Sequence, residues 1–217
     1  MGGVSVPYLI NQFNVNDSKK ISRAAAIVQY LCENIDNNQD IKRLCRYLTP
    51  DPLADYAIDY GNNVFMQPDL NESLMSNVKN DKVSPGCEKR ILFRTMFSDK
   101  VAESLSPLIY VYCDEVSFFS ERGGSSQIGT MLFYIDIVYD ISTEELIDWQ
   151  YRSWTIGQAI MNMFDEIPIT DEKYAKEVGN IKFRCGQMNI TNKKLSPNTS
   201  LGVLSIPLYA YVTGGRY

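Results

Sequence analysis

The side chains able to do chemistry are mostly carboxylates. They fall into three near pairs, Asp114 with Glu115, Asp136 with Asp140, and Glu144 with Glu145. Two carboxylates at a suitable separation can hold a divalent cation through oxygen, or divide general-acid and general-base work between them. Asp136 and Asp140 have the better spacing, because strand positions four apart share a face. One chemical reading is therefore a carboxylate- or metal-dependent enzyme using Asp136, Asp140 or Glu115. The chain has no histidine. That removes the commonest metal ligand, the commonest general base and every Ser–His or Cys–His nucleophile pair. With no third ligand converging on them, the acids read as solvated faces. No residue is assigned a catalytic, cofactor-binding or metal-ligating role, and no cofactor is expected.

Basic residues offer a second chemistry. Lys89, Arg90 and Arg94 interleave with Ile91, Leu92 and Phe93, and Lys182 and Arg184 alternate with Ile181, Phe183 and Cys185. A small nucleic-acid-binding module built on Arg90, Arg94, Lys182 and Arg184 would use this pattern, but alternating half-buried strands are the preferred explanation of it. Gly123-Gly124 and Gly214-Gly215 lack both the Walker lysine and the strand-to-helix setting of a phosphate loop. The sequons at Asn71, Asn189 and Asn198 read as chance in a chain without an export signal. Cys32, Cys45, Cys87, Cys113 and Cys185 are scattered and odd in number, which favours free thiols: Cys32 and Cys45 in helices, Cys113 and Cys185 in strands.

The elements that must position these groups centre on residues 131–164. Phe133, Ile135, Ile137 and Tyr139 alternate with Tyr134, Asp136, Val138 and Asp140, so this stretch reads as a strand with one face on a core. A period change then predicts one long amphipathic helix, capped by Ser142 or Thr143. Glu144 and Glu145 would lie at its positive end, and Leu146, Gln150, Ser153, Gly157, Ile160 and Phe164 along its inner face. Upstream, residues 108–119 are rich in β-branched and aromatic types and pair with 130–140 as a hairpin around a Gly-rich tip at 121–129. Residues 90–97 form a short strand. Downstream, strands are predicted over 181–190 and 201–212, with a polar loop at 191–200. Pro207 marks an edge strand or a bulge. Helices are predicted over 19–34, with Asp17 or Ser18 as N-cap, and over 40–47. Short helical segments are also expected within 69–78 and 171–177.

The fold expected is thus α+β: an antiparallel sheet packed on one long amphipathic helix, with an N-terminal helical appendage. Residues 1–17 form an extended arm, 18–88 the appendage and 89–217 the core domain. The 45% apolar content across 217 residues supports a sizeable core. A net charge of −5 disfavours broad attraction to nucleic acid or to anionic membranes. No apolar run approaches a membrane span. The start lacks a basic and apolar leader, so folding in a cytosol is expected.

The layout of 89–212 resembles the head–tail connector proteins of tailed bacteriophages, the tail-terminator or neck-ring family. The resemblance rests on an Arg-Ile strand start at Arg90-Ile91 and the aromatic strand Ile109-Tyr110-Val111-Tyr112. It continues with Phe133-Tyr134-Ile135-Asp136-Ile137-Val138, a helix carrying Arg152 in its second turn, and two closing strands. Asn-rich composition and separate N-terminal helices are similar to a virion protein of a crAss-like phage. The resemblance implies a non-enzymatic virion protein of the neck, assembled in the host cytoplasm. It further implies a sixfold or twelvefold homo-oligomeric ring between portal-side and tail-side proteins, through which DNA passes without specific binding. No membrane partner is implied.

Overall fold

The computed structural model describes residues 15–53, 58–60, 63–65, 69–75, 90–92, 107–120, 127–146, 150–178, 181–196 and 199–215. In chain order the elements are α1 (Val15–Asn37), α2 (Gln39–Arg46), β1 (Ile58–Tyr60), β2 (Asn63–Phe65), β3 (Ile91–Leu92), β4 (Leu108–Ser120) and β5 (Gln127–Asp140). A 3-10 turn (Ile141–Thr143) follows, then α3 (Arg152–Phe164), α4 (Glu172–Val178), β6 (Ile181–Cys185), β7 (Asn189–Ser196) and β8 (Thr199–Gly215).

The main sheet runs β3-β4-β5-β8-β6, with β7 also on β8. β4, β5, β8, β6 and β7 pair antiparallel, whereas β3 lies parallel to the start of β4. β1 and β2 form a separate antiparallel pair. The predicted parity of β5 holds. Met131, Phe133, Ile135 and Ile137 are fully buried on the helix side, joined by Tyr139, and opposed by Leu204, Ile206, Leu208 and Ala210 of β8. Helices α1 and α2 fall in the stretch expected as an appendage, and their Ile27, Leu31, Ile35, Ile41 and Leu44 belong to the same core as the sheet and α3. The boundary expected at 88/89 lies outside the described residues, as do residues 1–14 of the arm. Residues 15–17 are the first turn of α1, which places the predicted Asp17 or Ser18 cap inside the helix.

Several expectations are corrected. The helix after β5 is shorter than expected, 13 residues that end at Phe164 as expected but start late. Ile141–Thr143 form a 3-10 turn, the chain bends back through a Glu145–Tyr151 bridge, and α3 begins only at Arg152. Arg152 therefore opens the helix instead of sitting in its second turn, and the longest helix is α1, with 23 residues. The described part of the predicted 69–78 helix is not helical, and Met75 bridges Ile91. The polar loop expected at 191–200 is largely a hairpin of β7 and β8.

Pro207 sits not on an edge strand but in the middle of β8. Its carbonyl accepts from the Gly186 N–H at 2.7 Å, so the missing proline donor faces the β6/β7 side, since a strand residue directs both backbone groups the same way. That is where the neighbouring strand breaks into β6 and β7. The register passes from Cys185 opposite Leu208 to Asn189 opposite Ser205, one extra residue on the outer strand. A Cβ at Gly186 would approach Pro207 Cγ to 2.7 Å, so the break also needs glycine there.

Candidate functional site

The carboxylates do not converge. Asp136 is buried on the outward face of β5, and its Oδ2 accepts from the Tyr112 hydroxyl at 2.9 Å, while its Oδ1 is buried with no partner. Tyr112 stacks on Tyr134 at 5.7 Å between ring centroids. Burial and the neighbouring Asp136 hold the Tyr112 phenol neutral by raising its pKa. Asp140 instead caps the 3-10 turn, accepting from the Ser142 N–H and hydroxyl. Four strand residues, roughly 13 Å, separate it from Asp136. Glu115 lies opposite Leu132, four positions from Asp136 in the other direction. Among the described residues no group of three or more His, Cys, Asp or Glu is placed to hold a metal ion.

The basic residues are also divided. Lys182 and Arg184 sit exposed on the outward face of β6, opposite Tyr211 and Tyr209, and Lys182 pairs with Glu166. Arg90 is half-buried beside β3 at the opposite margin of the sheet. With strands about 4.8 Å apart, four spacings place the two sets roughly 19 Å from each other. Arg94 lies outside the described residues. Four of the cysteines are free, in the helices and strands expected, and Cys87 lies outside the described residues. Burial pushes the Cys45 thiol up to about 12, so it stays protonated at neutral pH.

What the fold brings together is a buried polar node at the start of α3. Arg152 is completely buried. Its Nε donates to the Thr143 carbonyl at 2.9 Å, Nη1 to those of Leu44 (2.9 Å) and Tyr47 (2.7 Å), and Nη2 to Thr49 (2.8 Å). Leu44 and Tyr47 lie at the end of α2, where carbonyls lack helical partners and the helix dipole is negative. One guanidinium thus ties α2, the 3-10 turn and α3 together. Glu144 completes the node: its Oε1 accepts from the backbone N–H of Ser153 at 3.0 Å and from the Ser153 hydroxyl. The prediction of an acid at the helix's positive end was sound in its physics, but Glu144 supplies that charge from outside the helix. Burial raises the Glu144 pKa, and the hydrogen bonds from Ser153 and the charge of Arg152 counter the rise. Every hydrogen bond of Arg152 and of Glu144 Oε1 runs to another part of the chain, so the node fastens helices, while Glu144 Oε2 is buried without a hydrogen-bond partner.

The sheet margins differ from that closed interior. β6 is covered: Glu166 N–H donates to the Phe183 carbonyl (3.0 Å), Ile169 N–H to that of Ile181 (3.1 Å), and Asp165 accepts from the Cys185 N–H (2.8 Å). Glu166 makes this possible by leaving α3 with φ 59°, the left-handed turn that ends many helices. β7, by contrast, pairs among the described residues with β8 alone. Among the described strands none lies on the outer side of β7, and at the far margin β3 meets β4 at its Ile109–Tyr110 end. The hairpin β7 was missed because Asn189–Ser196 is polar on both faces; the Pro197-Asn198 turn signal was its one trace in the sequence. Among the described residues no helix is long and apolar enough to cross a membrane. The chain matches no protein-family model, and no curated protein matches it.

Proposed function

We propose that this chain is a non-enzymatic structural subunit of a tailed-phage neck, at the head–tail interface or as tail terminator. It forms a closed ring, sixfold or twelvefold, that joins portal-side to tail-side proteins and lets DNA pass. Its place of work is the virion, after assembly in the host cytoplasm. One observation carries this reading. The two strands on which the family resemblance rests lie side by side in register, Ile109 opposite Ile137 and Val111 opposite Ile135, with the Arg152 helix in the same core and three later strands, β8, β6 and β7, completing the sheet. The placement of β7 at a margin of the sheet suits a protein that works by docking, and an acidic net charge of −5 suits a passage that DNA must slide through without adhering. Negative-stain imaging and native mass spectrometry of the full chain, alone and with extracts of its virion, test the proposal. Closed rings with a central opening are expected. A single-subunit mass under both conditions would refute it.

A further inference from the structure

We propose that the outward face of the sheet binds a short single strand of nucleic acid, its bases stacking on a track of tyrosines that ends beside Arg184 and Lys182. The proposal stands independently of the ring reading and gives a use to the basic residues of β6.

The track follows from the register. Tyr112 lies opposite Tyr134, and their rings stack with centroids 5.7 Å apart. Tyr134 lies opposite Pro207, and Tyr209 is the next residue of β8 on that face, diagonal to Tyr134. Tyr211 follows Tyr209 on the same face. Tyr209 lies opposite Arg184 and Tyr211 opposite Lys182. Strands are about 4.8 Å apart and alternate residues about 6.8 Å apart, so successive members of the track stand roughly 5 to 8 Å from one another. Their rings stay accessible. Tyr211 is 41% exposed and Tyr112, Tyr134 and Tyr209 are half-buried, whereas Leu208 and Ala210, on the inward face, are fully buried.

Rings in a row beside cations fit one ligand class. Every base has a π-face, so bases stack on aromatic side chains whatever their sequence, and the backbone phosphates then meet nearby Lys or Arg. The spacing of the track exceeds the rise of roughly 3.4 Å per nucleotide in a duplex, so it suits a strand whose bases are splayed apart. Arg184 is exposed, while Lys182 shares its charge with Glu166, which makes Arg184 the main phosphate contact. With the chain at −5 overall, that attraction is local and the rings supply most of the affinity. Size argues against a protein in this place. Three strand spacings by four residues is roughly 200 Å², about a quarter of the ~800 Å² each partner buries in a standard protein interface. Duplex DNA keeps its bases stacked on one another and offers none to the tyrosines, so binding here leaves the passage of a duplex unaffected.

The test is fluorescence anisotropy of the full chain with a labelled oligothymidine of about twelve nucleotides, and with the same strand annealed into a duplex. The single strand should bind more tightly than the duplex. Tyr209→Ala and Tyr211→Ala should each weaken its binding about tenfold, and Tyr211→Phe, which keeps the ring, should leave it unchanged. Arg184→Ala should lower the slope of log affinity against log salt by about 0.7, the share of one phosphate contact on a single strand. Circular dichroism of each variant separates lost binding from lost folding. No binding of the single strand at low salt, equal binding of strand and duplex, or an affinity indifferent to both alanine variants overturns the proposal. It is overturned too if no oligonucleotide binds and the alanine variants instead release a protein captured from virion extract. Subunit mass decides the ring reading separately from all of these outcomes.

Discussion

Two buried charged groups lie on opposite faces of the same sheet, and they are treated differently. Arg152, under the helices, has all three guanidinium nitrogens engaged with backbone carbonyls from separate segments. Asp136, on the outward face, has one oxygen bonded to Tyr112 and the other buried without a partner. The first is a long-range fastener whose partners cannot re-form with water once they are buried. The second is a local contact between adjacent strands whose ladder persists without it. Arg152 therefore fastens distant segments, whereas Asp136 sits beside a second buried cluster of Leu108, Tyr110, Val138, Leu201 and Val203 that holds the outward face without it.

The sharpest way to break that contrast is Arg152→Met. It leaves four carbonyls facing an apolar side chain, and a loss of about 3–5 kcal/mol in unfolding free energy is expected by chemical denaturation. A loss under about 1 kcal/mol would show that the carbonyls reach water and that the fastener is not one. Next comes Gly202→Ala. Gly202 lies opposite Tyr139, whose ring covers it so closely that a Cβ there would fall inside contact distance of the ring, and the Tyr139 hydroxyl is engaged with Ser153. Displacing that ring is expected to cost about 1–3 kcal/mol, read from the same denaturation curves.

Glu144→Gln sharpens the comparison through pH. Burial raises the Glu144 pKa in the folded chain, so the folded state binds this proton more tightly than the unfolded state. The penalty for its charge is complete above the raised value and is relieved as pH falls through it toward the ordinary glutamate value of about 4.3. Unfolding curves from pH 7 down to about pH 4 should therefore show the wild type gaining stability relative to Glu144→Gln; a constant difference across that range would mean that folding leaves the Glu144 proton affinity unchanged. The smallest effect is expected at Asp136→Asn, which keeps the bond from Tyr112 and removes a buried charge. A change within about 1 kcal/mol in either direction, read from Tm, fits a local contact. A loss as large as that of Arg152→Met would erase the contrast between the faces.

How far the sequence reaches is clearest at the junction of β5 and α3. The alternation through Phe133, Ile135, Ile137 and Tyr139 is a local property, and those residues are all buried on one face as expected. Ser153, Gly157, Ile160 and Phe164 likewise lie buried along α3, although Gln150, expected with them, is exposed and precedes the helix. The helix start was misplaced by about nine residues, from Thr143 to Arg152, because Glu144 and Arg152 answer to groups that periodicity cannot register. Arg152 needs the carbonyls of Leu44, Tyr47 and Thr49, more than a hundred positions earlier. The carboxylate pairs failed for a related reason: spacing put Asp136 and Asp140 on one face, but a Tyr112 hydroxyl and a 3-10 turn had separate uses for them.

What the sequence determined by itself was the alternation of the inner strands, the helical spacing of α1, α2 and α3, and the absence of histidine chemistry. Each follows from residue type and short-range geometry. Only the tertiary structure decided where α3 begins, that Pro207 stands mid-sheet beside a broken neighbour, and that a polar stretch is the strand β7. It also decided which strands lie at the margins of the sheet. All of these depend on which backbone groups distant segments leave unsatisfied, and that is settled when the segments meet.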